Sequence, residues 1–329
     1  FDASFLNNRL TGTFDWYRRN TKDMLVAGAT LPATLGASVP KSNSADMKTI
    51  GWELSLGWND RLENGFSYWV KGVLSDYQAT ITKYAGNDAG FYSQSDDDGK
   101  YYVGQKIGEI WGYHSNGLFQ SDDEAATIDQ SELYAGKWGA GDVKYEDLDN
   151  DGKITKGEET IYNPGDKSII GNKTPRYQFG ITVGFDYKNF DFEMFWQGTG
   201  KRDYMLSGAQ FWGFTSQWDV PYTPALDYWT ETNTDAYFPR PGWQNGGNRV
   251  TSDRYLQSAA YGRLKNLTVG YTIPKNLTTK WGISRLRLYV TGENLLTITP
   301  LNDAFDPETL GGMTYPINRK VAIGLNLTL

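Results

Sequence analysis

Residues Tyr177–Gln197 read YQFGITVGFDYKNFDFEMFWQ, and their side chains alternate along the whole stretch. Tyr177, Phe179, Ile181, Val183, Phe185 and Tyr187 form one apolar row, while Gln178, Gly180, Thr182, Gly184 and Asp186 form an opposite row that is small or polar throughout. A strand sends successive side chains to opposite faces, so this spacing predicts a ribbon with one apolar and one wet face. After Lys188 and Asn189 the row resumes as Phe190, Phe192, Met194 and Trp196, with Asp191, Glu193 and Gln197 turned the other way. Two such rows across a tight turn are a hairpin.

The same pattern continues outward in both directions. Leu10 to Arg18 alternates and extends toward Leu25; Ile50, Trp52, Leu54, Leu56 and Trp58 form the next apolar row, followed by Phe66, Tyr68, Val70 and Leu74. Beyond the hairpin come Leu267, Val269, Tyr271 and Ile273, ended by Pro274, then Leu286, Leu288 and Val290, and finally Val321 to Leu329. That makes about eight strands. Short connections (Asn7-Asn8, Asn59 to Gly65, Lys188-Asn189, and Lys275 to Ser284 with room for one helical turn) alternate with long ones. The long ones are a loop from Ala27 to Asp46 and two excursions at about 83–173 and 198–253. Transmembrane barrels have this asymmetry, with short turns on one side, long loops outside and aromatic residues near both interfaces. Trp58, Tyr187, Trp196 and Tyr271 are placed near strand ends for that role. The expected fold is all-β, part of an antiparallel transmembrane barrel with long extracellular loops. The competing arrangement is a water-soluble β-sandwich whose apolar rows meet between two sheets.

Composition is consistent with that reading. The chain of 329 residues carries 37 Gly, 22 Tyr and 12 Trp. No stretch approaches the ~18 consecutive apolar residues of a membrane helix. A mean hydropathy of -0.56 does not argue against a barrel, because only half of each strand is apolar and the loops are polar. The net charge of -7 and the lack of a Lys/Arg stripe argue against nucleic acid, and no such partner is expected. With no cysteine, disulfides, thiolate metal sites and cysteine nucleophiles are excluded together. The sequence opens on Phe1 without an initiator Met or signal peptide, and is read as a processed piece or fragment.

One local motif carries metal chemistry. Asp147-Leu-Asp149-Asn-Asp151-Gly152-Lys153, continued to Glu158, matches the spacing of a calcium loop over its full length. Asp147, Asp149 and Asp151 would offer carboxylate oxygens, Lys153 its carbonyl, and Glu158 both oxygens to one Ca2+, with Gly152 at the sharp turn. The flanking AGDVKYE and TIYNPGD do not resemble the paired helices of an EF-hand, so the ion is expected to brace an external loop. The single histidine, His114, lies in a Gly- and aromatic-rich segment with no Gly-x-Ser-x-Gly elbow or triad spacing, and is read as a loop residue. Nothing singles out a carboxylate pair for glycoside chemistry. Neither an enzyme nor an organic cofactor is expected. Trp212, Trp218, Trp229 and Trp243 in the second excursion are candidates for contact with a ligand or partner, or for a core of the loop itself. Asn266, Asn276 and Asn326 each begin an Asn-Leu-Thr triplet, read as coincidental.

Several blocks, in this order and spacing, resemble the C-terminal part of the SusC/RagA family of TonB-linked outer-membrane transporters. They are NNRLTGTFDWYRRNTKDML, GEIWGYHSNGLFQ, GDVKYEDLDNDGKIT with SIIGNKTPRYQFGITVGFDYKNFDFEMFWQGTGKRD, and RLKNLTVGYTIPKNLTTKWGISRLRLYVTGENLLTITPLNDAFDPE with YPINRKVAIGLNLTL. The resemblance covers nearly all of residues 1–329 and implies about eight strands of a 22-stranded barrel. The plug, the TonB box and the rest of the barrel would lie outside this sequence. It further implies the outer membrane of a Gram-negative bacterium as location, lipid around the barrel, a SusD-like surface lipoprotein over the mouth, TonB as energy source, and import of an oligosaccharide or peptide. The rival functions are a passive porin or adhesin barrel and a soluble, calcium-stabilised glycan-binding module.

Overall fold

The computed structural model describes residues 1–27, 34, 36, 40–92, 101–310, 315 and 317–329. The first wall strands are β1 (Asp2–Phe5), β2 (Leu10–Ala27), β3 (Lys41–Arg61) and β4 (Ser67–Tyr84). Four short strands follow in the first excursion: β5 (Glu109–Tyr113), β6 (Ser115–Leu118), β7 (Val143–Tyr145) and β8 (Lys167–Asn172). The central hairpin is β9 (Arg176–Tyr187) and β10 (Phe190–Lys201); β11 (Asp203–Met205) and β12 (Leu256–Ser258) pair within the second excursion. β13 (Tyr261–Thr272), β14 (Arg285–Ile298) and β15 (Lys320–Thr328) complete the wall.

One nine-stranded sheet runs β1-β2-β3-β4-β9-β10-β13-β14-β15, antiparallel at every step. It does not close on itself, and β1 and β15 are its edges. The register aligns the apolar rows read from the sequence. Trp58, Val70, Val183, Met194, Leu267, Gly292 and Val321 are successive cross-strand partners, so one face is apolar from β3 to β15. That face stays open: Val321, Ile323 and Leu325 are 70%, 83% and 58% exposed. Among the described residues no second large sheet covers it, which removes the sandwich arrangement. Tyr177 to Tyr187 spans ten residue steps of β9; at ~3.3 Å per step and a tilt of ~40° the band is ~25 Å tall, the height of a bilayer's apolar layer as barrels meet it.

The hairpin turn falls at Lys188, which takes a φ of 55°, and the β1–β2 turn has φ values of 53°, 56° and 64° at Leu6, Asn7 and Asn8. Aromatic rings gather at this short-turn end: Phe66 stacks on Phe185 at 5.5 Å, Phe185 on Phe192 at 5.1 Å, and Phe190 lies 4.7 Å from Tyr271. Trp58 donates its indole N–H to the Tyr68 hydroxyl there, 3.2 Å away. Trp196 instead pairs with Ile181 in mid-strand, well away from this end. Helical turns at Lys275–Thr278 and Thr279–Trp281 fill the β13–β14 connection as the sequence suggested.

The wall strands reach further than the apolar rows do. β2 has 18 residues, β3 21 and β4 18, because backbone pairing continues beyond the residues that alternate. Residues 41–46, read as loop, belong to β3, while 28–33, 35 and 37–39 of that loop lie outside the described residues. β1 brings the count to nine. The polar face carries its own contacts. Arg287 pairs with Asp191 across the intervening strand β13, directly over Gly270, where a methyl group would meet the Asp191 carboxylate.

Candidate functional site

Sequence reasoning treated the long excursions as separate loops, but they fold together into one cap with its own core. Its buried side chains come from three connections: Tyr113, Leu118, Val143, Tyr145 and Ile154 from the first; Leu206, Phe211, Trp229, Phe238 and Tyr255 from the second; Leu301, Phe305 and Leu310 from the β14–β15 connection. Phe211, fully buried, meets Trp212, Phe238 and Phe305 edge-on at 5.1, 5.1 and 6.3 Å. Burial pushes the Tyr145 and Tyr255 hydroxyls far above their ordinary range. The third connection is also tied to the wall's polar face, where Asp306 and Glu308 reach the buried guanidinium of Arg263 and Glu308 holds Lys265 at 3.1 Å.

This core decides the reading of the four tryptophans. Trp212 and Trp229 are buried and pack within this core, and Trp212 also lines a small cavity with Phe238 and Arg240. Trp218 and Trp243 are 82% and 47% exposed, and Val220 and Leu226 of the same excursion are also open to solvent.

The acidic loop closes on itself through backbone donors. Asp147 accepts from the N–H groups of Asn150, Asp151 and Gly152, and Asp151 accepts from Lys153 N–H at 2.8 Å. Asn150 and Gly152 take the left-handed φ values that this tight curl needs, 62° and 85°. Oxygens of Asp147, Asp149 and Asp151 lie within 4.8 Å of one another. Loss of solvation against the loop pushes the Asp149 carboxyl up, and the charges of Asp151, Asp166 and Asp147 add to it. Asp147 is held low despite partial burial, by the N–H groups of Gly152, Asn150 and Asp151. Glu158 does not join the cluster; its N–H bonds to Asn163 O at 3.0 Å, and Gly157 packs against Gly165, which turns the chain away. Buried Asp166, which the motif did not include, braces the loop by accepting from Leu148 and Thr155 N–H, both at 2.7 Å. Ile154, 1% exposed, anchors the loop in the cap core. The three aspartates suit a hard cation, and Lys153 keeps its place in the loop.

A cleft of about 340 Å³ opens where the first and second excursions meet, lined by Trp111, Tyr113, Glu132, Lys156, Lys167 and Arg249 among others. Lys167 is buried beside Glu159 at 3.2 Å, and burial lowers its pKa. Beside the cleft, His114 is held between Asp253 and Ser168, 2.7 Å from each. No spacing rule could have found that network, because its members lie 54 and 139 residues from His114 along the chain.

No family model matches the chain. In sequence it is similar to TonB-dependent receptor P3 of Formosa agariphila, at 29% identity over 355 residues, which takes in 99% of this chain and 33% of that protein. It is also similar to TonB-dependent receptor SusC of Bacteroides thetaiotaomicron, at 25% identity over 333 residues, 99% of this chain and 31% of that one. The chain thus spans about a third of the length of the curated relatives it matches. In fold it resembles the RagAB peptide transporter, with a TM-score of 0.75 at 21% identity over 99% of this chain and 34% of that chain. The open-open state of the RagAB peptide importer gives 0.74 at 20% identity, over 100% of this chain and 34% of that chain. These relatives bear out the resemblance read from the sequence blocks, and the solved structures bear out the partial barrel.

Proposed function

From this whole-length likeness to TonB-dependent receptors, we propose that the chain is the C-terminal wall and cap of an outer-membrane TonB-dependent importer. It would take up oligosaccharides or peptides and work with a SusD-like surface lipoprotein. The observation that carries the reading is the single apolar face running from β3 to β15, with the cap tied to the polar side. A sheet in lipid must satisfy every backbone group within itself, and nine paired strands do so except at the two edges. The remaining strands of a longer barrel would pair with those edges. The cap then stands over the lumen, its cleft offering Trp111, Lys156, Lys167 and Glu132 to a polar oligomer, and Trp218 and Trp243 facing outward toward a lid.

The test is uptake by cells expressing the intact receptor, supplied with labelled oligosaccharides and peptides, with and without TonB. Loss of uptake on removing TonB supports the reading. Uptake that continues without TonB would identify a passive porin, and recovery of the protein without detergent would identify a soluble module.

The same reading assigns Ca2+ to the loop, held by Asp147, Asp149, Asp151 and the Lys153 carbonyl. The bound ion would neutralise three crowded carboxylates and stiffen the cap. Calcium titration of Asp147→Ala/Asp151→Ala is expected to show one site fewer than the unaltered receptor. Unchanged stoichiometry rules the site out.

A further inference from the structure

Three side chains from three separate segments of the cap meet in one line of hydrogen bonds. Ser168 Oγ stands 2.7 Å from His114 Nε2, and His114 Nδ1 stands 2.7 Å from Asp253 Oδ2. The other oxygen of Asp253 accepts from Ser115 N–H at 3.0 Å, which fixes the carboxylate. The backbone supports each member. Ser168 sits opposite Gly112 in the β5–β8 pair, and Tyr113 N–H donates to Thr251 O at 2.9 Å. Asp253 N–H donates to Tyr113 O at 3.1 Å, which brings the second excursion beside the histidine.

The donor inventory then assigns the protons. A carboxylate accepts and does not donate, so the neutral imidazole must carry its hydrogen on Nδ1. Nε2 is left with a lone pair, and the Ser168 hydroxyl gives its only hydrogen to it. This is the arrangement that makes serine a nucleophile: a base within hydrogen-bond reach, itself oriented by a third group. Such triads are recognised by geometry rather than by order along the chain. The site is open, with His114 and Asp253 side chains 34% and 39% exposed.

We propose that Ser168, His114 and Asp253 form a nucleophilic triad on the cap, reactive toward small, accessible carboxylic esters. Ser168 Oγ forms a bond to the carbonyl carbon while the ester C–O bond breaks. The hydroxyl proton passes to His114 Nε2 and from there to the departing alkoxide or phenolate. Water, deprotonated by the same nitrogen, then attacks the acyl-serine, releasing the carboxylic acid and restoring Ser168. Asp253 acts through the ring as a positioning residue. This activity is separate from transport and does not rest on that reading.

The test uses the full-length receptor in detergent, a fluorophosphonate probe and p-nitrophenyl acetate. Attack on the probe forms a Ser168 O–P bond and expels fluoride, and peptide mapping locates the adduct. Labelling is expected at Ser168, abolished in Ser168→Ala and slowed about 10²-fold in His114→Ala, in line with the share a positioned base contributes. Added imidazole should restore part of the rate in His114→Ala, which it would not do for a merely structural histidine. Asp253→Asn, which favours the other tautomer, should slow labelling and displace its pH profile. p-Nitrophenol release should follow the same order. The absence of an adduct at Ser168 under conditions that label a reference serine hydrolase overturns the proposal, as does labelling indifferent to His114→Ala. Each variant is checked for an unaltered cap by its proteolysis pattern.

Discussion

The wall and the cap both carry many large aromatic and aliphatic residues, yet they place them in opposite ways. In the wall, Phe14, Ile181, Val290 and Leu325 are all left exposed on the sheet surface. In the cap, Tyr145, Phe211, Leu206 and Tyr255 are almost wholly enclosed by their neighbours. On the proposed outer-membrane reading, the difference lies in the solvent each region is built for. A wall in lipid gains nothing by hiding apolar groups from it and relies on an unbroken ladder of backbone hydrogen bonds. A cap in water must form a core as any soluble domain does. Perturbations that act on buried groups should therefore separate the two regions.

The largest separation is expected at high pH. Tyr92, Tyr102, Tyr113, Tyr145 and Tyr255 all lie in the cap, and burial raises each hydroxyl above its ordinary value of 10.0. For Tyr102 the bond to Glu109 adds to that effect. Above pH 10 the unfolded cap loses these protons and the folded cap keeps them, so the unfolded state binds fewer. Stability is then flat below about pH 10 and falls above it, by at most about 1.4 kcal/mol per pH unit for each tyrosine. Phenolate absorbance and protease sensitivity of the cap should rise together, with the wall's strand signal unchanged. Loss of both signals at one pH would make wall and cap a single cooperative unit. Phe211→Ala is expected to cost the cap about 3–5 kcal/mol, read as a lower cap melting point with membrane assembly retained.

The same contrast explains what could be read from the sequence. The wall was legible because a sheet with one apolar and one polar face imposes a period of two, and Tyr177 to Tyr187 keeps that period without exception. The extension of β2 toward Leu25 could be read, but the upper parts of β3 and β4 could not, because their residues do not keep one apolar row. The cap was illegible for a related reason: its core joins Val143, Phe211 and Phe305 from three connections, and no local pattern announces such contacts. Trp212 and Trp218 lie six positions apart, and only tertiary packing makes one a core residue and the other a surface one. The clustering of the three aspartates was readable because they lie within five positions of one another; Glu158 stands outside that cluster, where Gly157 packs against Gly165.

A substitution in the wall provides the converse test. Leu325 belongs to the open apolar row, paired with Leu288, and Asn326 faces the other way. Leu325→Arg places a charge in lipid and is expected to cost about 2–4 kcal/mol near the midplane. Asn326→Arg meets water and should assemble nearly as well as the unaltered chain. Heat-modifiable migration of the assembled barrel checks both, and equal tolerance would break the distinction between the faces.

The smallest effect tests whether any cap-like packing extends onto the wall. On its polar face Gly184 lies beneath the indole of Trp69, its cross-strand partner, and a methyl group there would overlap the ring. On the apolar face Gly72, in the same strand as Trp69, has nothing within 4 Å of where a methyl would sit. Overpacking costs about 1–3 kcal/mol where neighbours cannot move, so Gly184→Ala should lower the barrel's melting temperature while Gly72→Ala leaves it unchanged. Adding Trp69→Ala should remove most of the penalty of Gly184→Ala, because the two effects share one contact. If Gly184→Ala is as neutral as Gly72→Ala, the Trp69 ring swings freely into the lumen, and tight side-chain packing ends at that point of the wall.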